Sequence, residues 1–312
     1  MKRVVIIILN WNGKELLKDC LSSLFRLTNY PDYKVIVVDN GSTDDSIEFV
    51  KKNFHQVDVL ALDKNYGYPK GNNVGIKYAL EKYNPEYVLL LNNDTQIIQN
   101  NWLELLVESS EKYNAGIVGC KLIYPNRKIQ HAGINISFLS EHIGRFEDEK
   151  KYSFIKYMNA VTFACVLIKK EVIEKVGLLD EIFFAGHEDL DYCFKARKNG
   201  FKILYNGKVT LIHKESITTK KFEDLRRWYR ERVGNIIVTK RYYSIAFLLA
   251  ILFSSFITSF IKRKYPTIKM LSFSPRKNWF KFLLFLMLAI KDSSITIRKN
   301  VPIIFFEKRY FK

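Results

Sequence analysis

The chain has 312 residues, 48% of them apolar, with 50 Lys and Arg against 32 Asp and Glu for a formal charge of +18. That apolar content suffices for a large core and excludes an intrinsically disordered chain. The charge is uneven: residues 1–219 carry 29 basic and 27 acidic side chains, net +2, whereas residues 220–312 carry 21 and 5, net +16.

In chain order, the apolar run Val4 to Leu9 is too short for an export signal and, being β-branched, reads as a buried strand. Leu16, Leu17, Cys20, Leu21 and Leu24 then recur at helical spacing. Tyr33 to Val38 reads as a second strand. Ser42 or Thr43 is expected to cap a helix carrying Ile47, Phe49 and Val50. Val57 to Leu62, Gly71 to Tyr83 and Tyr87 to Leu91 continue as strand, helix and strand. Beyond them the pattern becomes mixed, with strands near Ile117 to Ile123 and Ala160 to Lys169 and helices near Lys170 to Val176 and His187 to Lys198. Four cysteines, at 20, 120, 165 and 193, form no CxxC pair and read as reduced core thiols of a cytosolic protein.

Strand alternating with helix predicts a parallel α/β sheet, which binds ligands beyond the carboxyl ends of its strands. Those ends carry Asn10-Trp11-Asn12, Asp39-Asn40-Gly41, Lys64-Asn65-Tyr66-Gly67 and Asn92-Asn93-Asp94. Asp94 could hold a divalent cation with a diphosphate completing the shell, and Asp39 could accept from a nucleobase imide; either reads equally as a capping aspartate. Glu188, Asp189 and Asp191 form a second acidic group after Gly186. Three carboxylates in four residues suit a general base of raised pKa. They also suit the start of a helix, with Asp191 paired to Lys195 at i,i+4. His213 follows a short strand.

Taken together, VVIIILNWNGKELLKDCLSSL, VIVVDNGSTDDS, NYGYPKGNNVGI, YVLLLNNDT and FACVLIKKEVIEKVGLLDEIFFAGHEDLDYCFKARKNGFKI, with His213 later, resemble the inverting family-2 glycosyltransferases, especially rhamnosyltransferase-like members, over roughly residues 2–219. The resemblance implies the GT-A fold, a Rossmann-like, mostly parallel central sheet flanked by helices. It places Asn10 and Asn12 where the first strand meets the nucleotide. Asp39 then stands for the base-recognising aspartate with Asp44 as companion, and Asn65, Gly67, Asn72 and Asn93 line the nucleotide and sugar. The segment 92–94 stands for the DxD motif, with Asp94 the ligand of Mg²⁺ or Mn²⁺ and His213 near the metal or diphosphate. Asp189 resembles the catalytic base, with Glu188 and Asp191 its neighbours. Two departures are Asn92 at the first DxD position and Lys70 where relatives often carry a small residue.

The activity so implied is sugar transfer from a UDP- or dTDP-sugar to a glycan or lipid-linked hydroxyl in cell-surface polysaccharide or glycoconjugate biosynthesis. A sugar-nucleotide pyrophosphorylase would need a Gly-rich phosphate loop that NWNGKELLKDC lacks, and a non-catalytic nucleotide-binding protein would be expected to lose the acidic group at 188–191. Residues 220–312 read as a separate basic and apolar helical region. Tyr243 to Ile261 has 19 residues without a charge between basic flanks, and Phe282 to Ile290 suits an interfacial helix. Both predict attachment to an anionic membrane surface, peripheral or through a single span at 243–261, at the cytoplasmic face of the cell membrane, the alternative being a core helix pair. The tail has no recognised nucleic-acid motif, so no nucleic acid is expected.

Overall fold

The computed structural model describes residues 2–136 and 140–214, with the backbone alone at 135–136 and 140–141, and seven residues between 233 and 242. The chain divides into two units, Met1–Lys221 and Phe222–Lys312. The expected membrane segments, 243–261 and 282–290, lie outside the described residues. Among the described residues no helix is long and apolar enough to cross a membrane.

The first unit opens with β1 (Val4–Asn10), α1 (Lys14–Leu27), β2 (Tyr33–Asp39), α2 (Ser46–Asn53), β3 (Val57–Ala61), α3 (Tyr68–Tyr83) and β4 (Tyr87–Asn92). β5 (Thr95–Ile97), α4 (Trp102–Lys112), β6 (Ile117–Ile123), β7 (Ile129–His131), β8 (Ile134–Ile136), β9 (Ser140–His142) and β10 (Ile155–Tyr157) follow. β11 (Cys165–Lys169), α5 (Lys170–Val176), α6 (Glu188–Lys198) and β12 (Ile203–His213) complete it. The main sheet runs β10-β12-β6-β11-β4-β1-β2-β3, with β5 on β12 and β7 on β6.

The pairs β3·β2, β2·β1 and β1·β4 are parallel, as is β6·β12, but β11 lies antiparallel between β4 and β6. The sheet is therefore mixed, and the expectation of a mostly parallel one holds only for its first half. An apolar run buried on both faces looks the same in either direction, so its sequence carries no sign of strand polarity.

Alternate β1 side chains enter opposite layers. Val4, Ile6 and Ile8 pack with Leu17, Leu21 and Leu24 of α1, Val50 of α2 and Trp102 and Leu106 of α4. Val5 and Ile7 join Ile76 and Ala79 of α3, Val172 of α5 and Leu190 and Cys193 of α6. Each such aliphatic side chain contributes about 2 kcal/mol by leaving water. The four cysteines are buried and unbridged.

Several boundaries differ from expectation. α2 begins at Ser46 behind Asp45, because the Ser42 hydroxyl is taken up by Asp39 and by the backbone N–H of Asn12. α3 begins at Tyr68 with a proline in its first turn, where a missing N–H costs nothing. The strand expected from Ala160 is regular only from Cys165. The strand before His213 is long, and His213 is its last residue.

Candidate active site

In this half of the sheet the chain runs outward from β1 to β3 and then returns to β4 on the other side of β1. The crevice at such a reversal, beyond the carboxyl ends, is where α/β sheets receive ligands. Side chains cross-link it. Asn93 Nδ2 donates to Asn10 Oδ1 at 2.8 Å, and Asn10 Nδ2 donates to Asp39 Oδ2 at 3.0 Å. Gly13 opens α1 beside them; a Cβ there would stand 2.5 Å from Asn93 Nδ2.

Asp39 is 1% exposed and accepts three bonds: from Asn10, from the Ser42 backbone N–H at 2.8 Å and from the Ser42 hydroxyl at 2.7 Å. It holds the loop after β2 in shape. Asn12, in the left-handed region at φ 48°, accepts from the Thr43 N–H at 2.7 Å through Oδ1. Asp44 accepts from the Lys14 N–H at 3.2 Å and from the N–H and hydroxyl of Ser46, so it ties the first turns of α1 and α2 together. Asn40 joins this loop to the next by donating to Asn65 Oδ1 at 3.0 Å and accepting from the Tyr66 N–H at 2.9 Å.

Asn65 also accepts from the Gly67 N–H at 2.8 Å, and Gly67 adopts φ 88°. A Cβ on Gly67 would lie 2.5 Å from the Phe184 carbonyl oxygen, which accepts from the Tyr68 N–H at 2.7 Å. Only glycine permits that apposition. Asn72 is buried and bonds within its own helix, to the Tyr68 carbonyl at 2.9 Å. The next residue, Asn73, clasps Leu179 through both its N–H and its carbonyl and also reaches Glu181. Lys70 lies 4.0 Å from Glu181 and over the Tyr66 ring at 4.5 Å.

The segment so held leads into Glu188, Asp189 and Asp191. Gly186 and His187 both have positive φ, 89° and 75°, and turn the chain sharply into α6. Glu188 is buried, its Oε2 meets no hydrogen-bond donor among the described residues, and burial with the adjacent Asp189 charge pushes its carboxyl up to about 8. Asp189 is half-buried and also raised by desolvation, opposed by the positive fields of His142 and His187. Burial and the like charge of Asp189 beside it favour a protonated Glu188 near neutral pH. Asp191 is set apart: its Oδ2 pairs with Lys195 Nζ at 2.8 Å, the expected i,i+4 contact.

At the end of β4, Asp94 is 8% exposed, and His213 Nε2 stands 3.0 Å from its Oδ1. Among the described residues no hydrogen bond reaches that oxygen. Asn92 Nδ2 is 3.4 Å from the same ring nitrogen, and His213 Nδ1 contacts Gln130 Oε1 at 2.7 Å. Among the described residues no three His, Cys, Asp or Glu side chains gather closely enough to enclose a cation. The pair fits a cation that takes the rest of its shell from elsewhere: one buried oxygen lacks a partner, and 3.0 Å is the separation of two neighbouring ligands about 2.1 Å from an octahedral ion.

Tyr68 feels the charge of both acidic groups. Its hydroxyl donates to the Phe163 carbonyl at 2.6 Å, and burial with the charges of Glu188, Asp189 and Asp94 holds its phenol well above the ordinary range. Tyr68, Asn40 and Asn73 lie within or beside motifs legible in the sequence. Gln130, His131 and His142 do not. His131 Nδ1 and His142 Nδ1 are 2.8 Å apart, and only the pairing of short strands brings those residues to the site.

A crevice at a sheet reversal, lined by amides and flanked by two carboxylate groups, is set in a GT-A-like α/β fold. GalNAc-T7, solved with UDP, GalNAc and Mn²⁺, superposes with a TM-score of 0.62 at 15% identity, covering 77% of this chain and 48% of that one. The Pyrobaculum calidifontis mannosyltransferase PcManGT, solved with GDP-Man and Mn²⁺, gives 0.59 at 13%, covering 95% and 86%. At these identities the likeness concerns the fold.

Residues 5–177, more than half of the chain, match Glycosyl transferase family 2, and the chain belongs to that family. It is 28% identical to the O-antigen biosynthesis protein RfbC of Myxococcus xanthus over 70% of this chain but only 18% of RfbC. Against the low-salt glycan biosynthesis hexosyltransferase Agl10 of Haloferax volcanii the identity is 28%, covering 77% and 76%. Against the dTDP-rhamnosyl transferase RfbF of Shigella flexneri it is 26%, covering 67% and 71%.

Proposed function

We propose that this chain transfers a sugar, with inversion, from a UDP- or dTDP-sugar to a hydroxyl of a glycan or lipid-linked acceptor in cell-surface polysaccharide or glycoconjugate biosynthesis. The observation that carries the reading is that two acidic groups, Asp94 and Glu188–Asp189, both lie close enough for their charges to act on the buried Tyr68 hydroxyl. Asp94 faces His213 with an unpartnered oxygen, and Glu188–Asp189 is raised by burial. RfbC, Agl10 and RfbF, each named for glycan or O-antigen assembly or for rhamnosyl transfer, support it.

In this reading Asp39 and its loop hold the nucleobase end of the donor, and Asn65 and Gly67 line the nucleotide and sugar. Asp94 and His213 hold Mg²⁺ or Mn²⁺, which when bound offsets the charge on the diphosphate. Asp189 accepts the proton of the acceptor hydroxyl as its oxygen attacks the anomeric carbon from the face opposite the diphosphate. Glu188 keeps its proton at neutral pH, so it leaves Asp189 as the ionised member of the pair. The +16 region beyond residue 219 brings the site to an anionic membrane on its cytoplasmic face. Each basic side chain near the surface contributes about 1 kcal/mol.

The test is Asp189→Asn, which removes the proton acceptor and keeps the shape. Turnover is expected to fall by at least about 100-fold while UDP or dTDP binding is kept, as calorimetry would read it. Wild-type turnover in the variant refutes the assignment. For the tail, the full chain should sediment with anionic vesicles and not with neutral ones; equal sedimentation refutes the electrostatic attachment.

A further inference from the structure

β7 does not pair evenly with β6. Leu122 faces His131 and Ile123 faces Ile129, so Gln130 is the extra residue of a β-bulge with no partner across the ladder. A bulge re-aims the side chain it carries, and bulges recur beside active sites for that reason. Here Gln130 is 5% exposed, and its Oε1 lies 2.7 Å from His213 Nδ1.

The contact has a chemical consequence. An amide oxygen only accepts, so the ring nitrogen facing it carries the proton. In a neutral imidazole the other nitrogen, Nε2, then carries the lone pair, which the Asn92 NH₂ meets only at a long 3.4 Å. That lone pair stands 3.0 Å from Asp94 Oδ1, itself buried and reached by no hydrogen bond. Two acceptors face each other, an arrangement that a cation relieves. With the amide turned over, Nε2 would carry the proton and bond to Asp94, and the pair would be closed.

We propose that Gln130 is a positioning residue for a divalent cation: through the bulge in β7 it fixes the ring and tautomer of His213 so that Nε2 and Asp94 Oδ1 converge as a ligand pair. The inference rests on the proposed reading of Asp94 and His213 as the metal-holding residues. Residues that orient a metal-binding histidine typically carry 10- to 100-fold in metal affinity. Among the described residues Gln130 Nε2 has no hydrogen-bond partner, and the amide's bond there is the one to His213.

The experiment is calorimetric titration of Mn²⁺ into the full chain with UDP or dTDP present, on wild type, Gln130→Leu, Gln130→Glu and Asp94→Ala. Thermal melting of each variant checks the fold. Gln130→Leu is expected to weaken Mn²⁺ binding about 10- to 100-fold, and Gln130→Glu, which still accepts from Nδ1, to bind as tightly as wild type or tighter. Loss of binding in Asp94→Ala with wild-type affinity in Gln130→Leu overturns the role of Gln130. Equal binding by wild type and Asp94→Ala overturns the metal reading beneath it. Should Gln130→Leu fail to fold, Gln130→Glu decides: weakening there by tenfold or more overturns the inference.

Discussion

Replacing Asp39 by alanine removes three hydrogen bonds at once, from Asn10 Nδ2 and from the N–H and hydroxyl of Ser42. A bond to a charged acceptor contributes about 1.5–3 kcal/mol when fully buried and about 1 kcal/mol when water can replace it. Asp39 is 1% exposed but Ser42 is half-buried, so the lower figure is the safer guide and the loss is about 3 kcal/mol. For a unit of this size each kcal/mol moves the melting temperature by about 2–4 °C, giving a fall of about 6–12 °C in scanning calorimetry. Ser42→Ala should couple to it by about 1 kcal/mol or more in a double-mutant cycle. Nucleotide titration on Ser42→Ala, which disturbs the loop but keeps the carboxylate, separates a scaffold role from a base-reading one. An Asp39→Ala protein melting within about 2 °C of wild type would refute the reasoning.

Glu188 is raised to about 8 from an ordinary 4.5, so between those values the folded chain keeps a proton that the unfolded chain has released. Its stabilising contribution is present at low pH and lost as pH rises through that window, so Glu188→Gln should melt higher than wild type at pH 8.5 and close to it at pH 5. His131 is buried beside His142 and held well below its ordinary 6.5. Its contribution is full above that value and lost as pH falls below it, so His131→Gln should flatten the decline of melting temperature between pH 7 and pH 5. Gly67→Ala drives a Cβ into the Phe184 carbonyl at positive φ and should cost about 1–3 kcal/mol, with weaker nucleotide binding by calorimetry. A Glu188→Gln melt equal to wild type at pH 8.5, an unflattened decline in His131→Gln or an unchanged melt in Gly67→Ala counts against the packing described for that residue.

The first four strands and three helices are legible in the sequence because the strands are short apolar runs closed by polar residues and the helices repeat their apolar residues with a period near 3.6. α4, with Trp102, Leu103, Leu106 and Val107 turned inward, is open to the same reasoning. The three-residue strands β7 to β10 are not, since three residues cannot display a period. The same limit governs the site. Residues after long strands, such as Asn10, Asp39 and Asp94, are found by where strands end. Gln130, His131 and His142 reach the crevice through a bulge and a short hairpin, which leave no mark in composition or spacing. Nor does a motif foretell that Asp44 and Asn72 spend their side chains on neighbouring turns.

The amides between β1 and β4 form a chain with a direction. Asp39, acceptor-only when ionised, compels Asn10 to turn its NH₂ inward. Asn10 therefore offers its oxygen outward, and Asn93 must answer with its own NH₂. Asn93 Oδ1 is the atom left turned away from the relay. A charge buried at the end of one strand thus decides, two side chains distant, that Asn93 turns an oxygen rather than an NH₂ away from the chain. An Asp39→Asn substitution would release that polarity along the whole row, so an asparagine at 93 is only as well defined as the aspartate at 39.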